Sequence, residues 1–191
     1  MARILSTALI IAALTQGPVL HAQAGLRPLP SGRATSEVTL QYPQDQRPPG
    51  FQPLRIRVDY GQPHLRGRVL HTDSLVPYDS IWRTGANAST TLSTDVDLVL
   101  GGVNLPKGRY QLMTLPSRKG WKLIVQEDKG QLMADYSAAA DIARIDLKQS
   151  TLPAPLESLT FWLIPSLVSP PQGELRLAWG TTMLSTTWMM K

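Results

Sequence analysis

The sequence predicts an all-β fold, an antiparallel β-sandwich of jelly-roll-like or prealbumin-like type with at most one or two short helices. Three observations predict it. Apolar and polar residues alternate with period two through about eight or nine short segments. Gly and Pro punctuate these segments at roughly 8–15-residue spacing, the layout of a sandwich or barrel. No interval between them suits a series of crossover helices, so a parallel α/β sheet is disfavoured.

Residues 1–24 read as a secretory signal. Arg3 supplies the positive start, an apolar run spans Ile4 to Leu14, and Gly17 and Pro18 break it. Ala22-Gln23-Ala24 places cleavage before Gly25. The apolar run falls short of the roughly 20 residues that span a bilayer. Pro and charges interrupt every later apolar run, so no transmembrane segment is expected after cleavage. Residues 25–35 read as an extended leader rich in Pro, Gly and Ser, and 36–191 as a single sandwich domain.

Ser36–Tyr42 is the first expected strand. Gln44–Pro53 contains Arg47-Pro48-Pro49-Gly50 and belongs in a loop. Leu54, Ile56, Val58 and Tyr60 then alternate with Arg55, Arg57 and Asp59, which buries the first set and solvates the second. Thr90–Leu100 reads as one strand, followed by Gly101-Gly102, a pair suited to a tight hairpin because both tolerate positive φ. Val103–Leu105 leads to the turn Pro106-Lys107-Gly108, and Tyr110, Leu112 and Thr114 alternate beyond it. Further strands are expected around Trp121–Val125, Ala143–Leu147, Leu159–Ile164, Glu174–Trp179 and Met183–Trp188. Helical turns are expected only within Leu75–Ala88 and at Ser137–Ala143, where Ser137 offers a cap.

Composition excludes several chemistries. The chain has 191 residues and no cysteine, which removes disulfides, thiolate zinc sites and cysteine nucleophiles. Its formal charge is +5; loss of residues 1–24 takes away Arg3 and no acid, lowering that by one. The basic residues are scattered, with no basic block and no nucleic-acid motif, so no nucleic-acid partner is expected. After cleavage only His64 and His71 remain, too few for a zinc or copper site, and no metal or cofactor is expected. Asp95 and Asp97 share a strand face but supply too few oxygens for calcium. His71-Thr72-Asp73-Ser74 holds the residue types of a hydrolase triad, yet four adjacent residues do not reach triad geometry.

Residues 60–91 stand apart. They carry Tyr, His, Arg, Trp and Asn at high density, with Gly and Pro shaping the backbone. Loops on a rigid sandwich can present such groups without disturbing the core. The candidate ligand-binding residues are Tyr60, His64, Arg68, Tyr78, Trp82, Arg83 and Asn87. Trp82 offers a stacking face, Arg83 a planar five-donor fork, and Asn87 both a donor and an acceptor. Together they suit a carboxylate, a phosphate or a sugar. The architectural alternative stays open: Arg83 tying loop carbonyls, Trp82 plugging one end of the sandwich, Asn87 capping a turn.

The blocks Leu75-Val76-Pro77-Tyr78, Trp82-Arg83-Thr84-Gly85-Ala86-Asn87, Leu105-Pro106-Lys107-Gly108-Arg109-Tyr110 and Leu115-Pro116 resemble the bacterial DUF2911 family over roughly residues 31–188. The resemblance implies an exported bacterial protein without an established activity, and adds almost no mechanism. The family usually has Ser-Arg-Pro where this chain has Gly61-Gln62-Pro63, so neutral Gln62 replaces an arginine. Leu132-Met133-Ala134-Asp135-Tyr136 also departs from the Trp-Gly-x-Tyr-like stretch common in relatives, and residues 44–53 look inserted.

The expected function is that of a periplasmic or secreted module that binds a small anionic or carbohydrate-like ligand, an envelope component or a protein partner through residues 60–91. Two alternatives are an envelope-associated hydrolase of unknown class using the same segment, and a scaffold that binds partners along a sheet edge.

Overall fold

A computed structural model describes residues 27, 29–72, 74–131 and 133–191. The expected signal segment at 1–24, residues 25, 26 and 28 of the expected leader, and Asp73 and Leu132 lie outside the described residues. Among the described residues nine strands form: β1 Arg33–Leu40, β2 Leu54–Gly61, β3 Thr90–Thr94, β4 Leu98–Leu100, β5 Val103–Leu105, β6 Gly108–Leu115, β7 Trp121–Glu127, β8 Ala143–Pro165 and β9 Gln172–Met190. They run in the order β1-β2-β3-β6-β7-β8-β9-β4-β5, each pair of neighbours antiparallel. The all-β, antiparallel expectation is met.

One continuous sheet makes both layers, because β8 changes partners along its length. Ala143–Leu147 pairs with β7, whereas Lys148–Pro165 pairs with β9. Pro153 and Pro155 lie within the part paired with β9, where the register shifts around Leu156. Gly180, opposite Leu156, takes φ +57°. Proline cannot donate to a ladder, and a bulge is where a strand tolerates it while bending. The sequence suggests two strands here, and again at 174–179 and 183–188, because prolines and glycines that normally end strands here only bend them.

Beyond the bend, β8 lies over the first two strands. The Tyr60 hydroxyl accepts the Phe161 N–H at 3.2 Å, and the Tyr60 and Phe161 rings sit 4.8 Å apart. Ser36 Oγ accepts the Leu163 N–H at 2.9 Å. A single core results, in which Ile56, Val58, Leu92, Leu112, Leu123 and Ile145 pack with Leu159, Phe161, Leu175, Leu177 and Trp188. Burial of these side chains supplies the main stabilisation, about 1.5–3 kcal/mol for each fully buried large apolar group.

Other boundaries move for identifiable reasons. The first strand starts at Arg33, inside the expected leader, because Arg33 and Ala34 continue the ladder opposite Gly61 and Tyr60 and Arg33 pairs with Asp59. Thr90–Leu100 divides into β3 and β4. Asp95 Oδ2 accepts the Arg55 N–H at 2.8 Å and Asp97 Oδ1 accepts that of Lys107 at 2.8 Å, so each acid fixes a separate backbone segment. Among the described residues, no three His, Cys, Asp or Glu side chains converge as a metal site. Gly101 and Gly102 take φ of +53° and +86°, forming the expected β4–β5 hairpin. Among the described residues helix is limited to single three-ten turns at Gln44–Gln46, Met133–Asp135 and Ala138–Ala140. Ser137 makes no side-chain cap, and Leu75–Ala88 carries no helical turn.

Burial raises the hydroxyl pKa of Tyr60, Tyr110 and Tyr136, assisted at Tyr110 by Asp97 and Glu127 and at Tyr136 by the Asp141 hydrogen bond. Their neutral forms favour the folded chain. That contribution is complete below the unfolded value near pH 10 and is lost as pH rises towards the folded values. We expect stability to decline above about pH 10, with these tyrosines ionising late in an ultraviolet titration. Ordinary ionisation of all five tyrosines before unfolding would contradict this.

Candidate functional site

Between β2 and β3 the chain forms no named strand, and its backbone there is unusual. Arg66, His71, Val76, Asp79, Thr84 and Asn87 take φ between +51° and +62°, and they are the non-glycine residues with positive φ among those described. Each such conformation costs of order 1–3 kcal/mol, and a β-branched residue such as Val76 or Thr84 adopts it least readily. The surrounding contacts hold it in place. Trp82 and Thr114 exchange backbone hydrogen bonds of 2.8 and 2.9 Å, which attaches this segment beside β6. Buried Thr84 Oγ1 donates to the Trp82 carbonyl at 3.2 Å and lies 3.1 Å from Thr114 Oγ1. Thr90 Oγ1 donates to the Thr84 carbonyl at 2.9 Å. Gln62 Nε2 donates to the Leu159 carbonyl at 3.0 Å, tying the segment's start to β8.

An aromatic stack lies beneath. Trp82 faces Trp179 at 5.9 Å and 17° and meets Trp121 edge-on at 6.5 Å. His71 meets Trp121 at 5.5 Å and stacks on Tyr78 at 4.4 Å, with the Arg118 guanidinium over the other ring 4.6 Å from the Tyr78 centroid. His71 Nδ1 faces the Val76 carbonyl at 3.1 Å and therefore carries the proton. Its Nε2 stands 3.5 Å from Thr182 Oγ1.

Four of the seven candidate residues, Arg68, Trp82, Arg83 and Asn87, line one cleft of about 370 Å³, together with Ser31 and Trp179. No carboxylate occurs among its described lining residues. Arg83 is exposed and, among the described residues, donates one hydrogen bond, from Nη1 to the Asn87 carbonyl at 2.9 Å, which engages one of its five N–H groups. Asn87 is also exposed; its Nδ2 donates to the Ser31 carbonyl at 3.1 Å, which leaves Oδ1 as an acceptor. Arg68 is held more firmly, by Nε to the Leu65 carbonyl at 2.9 Å and Nη2 to the His64 carbonyl at 2.6 Å. Among the described residues, neither arginine forms an ion pair.

The other three candidates lie elsewhere. Tyr60 is buried against Phe161, as its place in the inward-pointing series of β2 already requires. His64 Nδ1 pairs with Ser158 Oγ at 2.7 Å and lines a different cleft with Arg66 and Glu157. Tyr78 packs between His71 and Arg118. Sequence reasoning missed Trp179 and Ser31. Trp179 follows Leu175 and Leu177 in an inward alternation, a signal for burial that says nothing of which loop passes over it.

An all-β protein with an arginine-lined cleft built on a tryptophan stack is thus defined. The chain belongs to the DUF2911 family, described as proteins of unknown function, whose profile matches residues 43–187. No curated protein and no solved structure matches the chain.

Proposed function

We propose that this protein is an exported binding module whose cleft takes a small anionic ligand that also bears hydroxyl groups. One observation carries the reading: Arg68 and Arg83 line one cleft with no carboxylate among its described lining residues. Such a cleft favours an anion, because its field is uncompensated and the guanidinium fork matches carboxylate or phosphate oxygens. Asn87 Oδ1 offers an acceptor for a ligand hydroxyl, and the half-buried Trp82 offers an apolar wall for a sugar ring. Export rests on the segment from Arg3 to Ala24.

The test starts from protein recovered from the cell envelope or medium, whose intact mass should correspond to a chain beginning at Gly25. Calorimetric titration should show binding of galacturonate or inorganic phosphate and none of glucose. Arg83→Ala should weaken anion binding at least tenfold while Tm stays within about 3 °C, since it removes one exposed hydrogen bond worth about 1 kcal/mol or less. Unchanged anion affinity in Arg83→Ala would refute the cleft as the site, and a mature chain retaining Met1 would refute export.

A further inference from the structure

We infer that the ligand is an acidic oligosaccharide spanning two clefts that meet at Arg68, an inference that rests on the reading of the Arg83 cleft above. Arg68 lines that cleft and also a second one of about 330 Å³, shared with His71, Pro155, Thr181 and Thr182. The two backbone carbonyls that hold its Nε and Nη2 fix the guanidinium at the junction and leave three N–H groups for a ligand. A small apolar cavity lies between the clefts: Leu70 and Thr182 are shared with one, Val76, Trp82 and Trp179 with the other.

The second cleft has the chemistry of a sugar subsite. Thr181 presents a hydroxyl, and beside it Thr182 Oγ1 and His71 Nε2 form a polar pair at 3.5 Å, with Nε2 the acceptor because Nδ1 carries the proton to the Val76 carbonyl. Val69, Leu70 and Pro155 supply apolar surface for ring C–H groups, and its described lining again contains no carboxylate. Each cleft lies near the lower end of the 300–1,000 Å³ range of ligand pockets, so a single acidic ring leaves one of them unused. Linked rings fill both, and the second subsite then gains from the high effective concentration of a tethered group. Arg83 holds the acid of one ring and Arg68 that of its neighbour.

Titration with galacturonate, its dimer, its tetramer and neutral maltotetraose tests this. The tetramer is expected to bind at least tenfold more tightly than the monomer, and maltotetraose not measurably. Thr181 is exposed and its side chain makes no hydrogen bond among the described residues, so Thr181→Trp should block the second cleft without touching the first. That variant should erase the gain from length and leave monomer affinity unchanged. Thr181→Asp, which adds a repelling charge without bulk, should weaken the tetramer selectively, and it keeps the test decisive if the tryptophan variant fails to fold. Equal, Arg83-dependent affinities for monomer and tetramer would overturn the two-cleft ligand and leave the single-cleft reading intact. Phosphate binding without uronate binding would do the same. Binding of maltotetraose as tight as that of the acidic tetramer would overturn the acidic specificity, and absence of any Arg83-dependent anion binding would overturn both readings.

Discussion

Trp121→Ala is expected to cost about 3–5 kcal/mol of stability, the range for truncating a large buried aromatic residue. For a chain of this size that lowers Tm by about 6–20 °C. Trp121 opens β7, is 3% exposed, and meets both His71 and Trp82 edge-on. Its removal therefore leaves a hole between the sheet and the segment with strained backbone conformations, and those conformations persist only while packing enforces them. The indole Nε1 meets no protein acceptor, so the loss is one of packing and not of hydrogen bonding. Trp121→Phe retains a ring and gives up no protein hydrogen bond. It should cost under about 2 kcal/mol, within the range for a modest loss of buried volume. Urea unfolding of both variants measures the difference. An Ala variant within 1 kcal/mol of the parent would show that the stack does not support the segment.

Much of this arrangement is legible in the sequence, and the remainder is hidden for physical reasons. Period-two alternation identifies β2 from Leu54 to Tyr60, and the glycine pair identifies the β4–β5 turn, because both depend on local chemistry alone. The division of Thr90–Leu100 is not local: Asp95 and Asp97 form their hydrogen bonds with Arg55 and Lys107, residues that only the fold brings near. The continuity of β8 through Pro153 and Pro155 likewise depends on a bulge against β9. Arg68, Trp82, Arg83 and Asn87 line the same cleft because one segment carries all four. Tyr60 shows the opposite case, since its density of polar neighbours suggested a ligand role while its own alternation placed it inside. Trp82 joins the aromatic stack, whereas Arg83 and Asn87 remain exposed with donors and an acceptor to spare.

Gly61→Ala is expected to damage fold and site together. A Cβ at residue 61 would stand 1.8 Å from the Ala86 carbonyl oxygen, 2.7 Å from its carbon and 3.0 Å from its nitrogen. These are backbone atoms, so no side-chain rotation relieves the clash. The same approach carries the Ala86 N–H to Gly61 carbonyl hydrogen bond of 3.1 Å. The missing side chain at 61 lets residue 86 settle close to β2. Pushing it outward disturbs the buried Thr84 and Thr90 hydrogen bond and shifts Arg83 and Asn87 from the cleft. Overpacking costs about 1–3 kcal/mol, and a weakened backbone hydrogen bond adds about 1 kcal/mol. Tm should therefore fall by several degrees while anion affinity falls at least tenfold, a combination neither Arg83→Ala nor Trp121→Phe should produce. Gly32→Ala is the control: the nearest atom to its added Cβ is the Leu29 Cβ at 3.9 Å, an ordinary contact. If Gly61→Ala matched Gly32→Ala in both Tm and affinity, close approach at residue 61 would not be what sets the cleft.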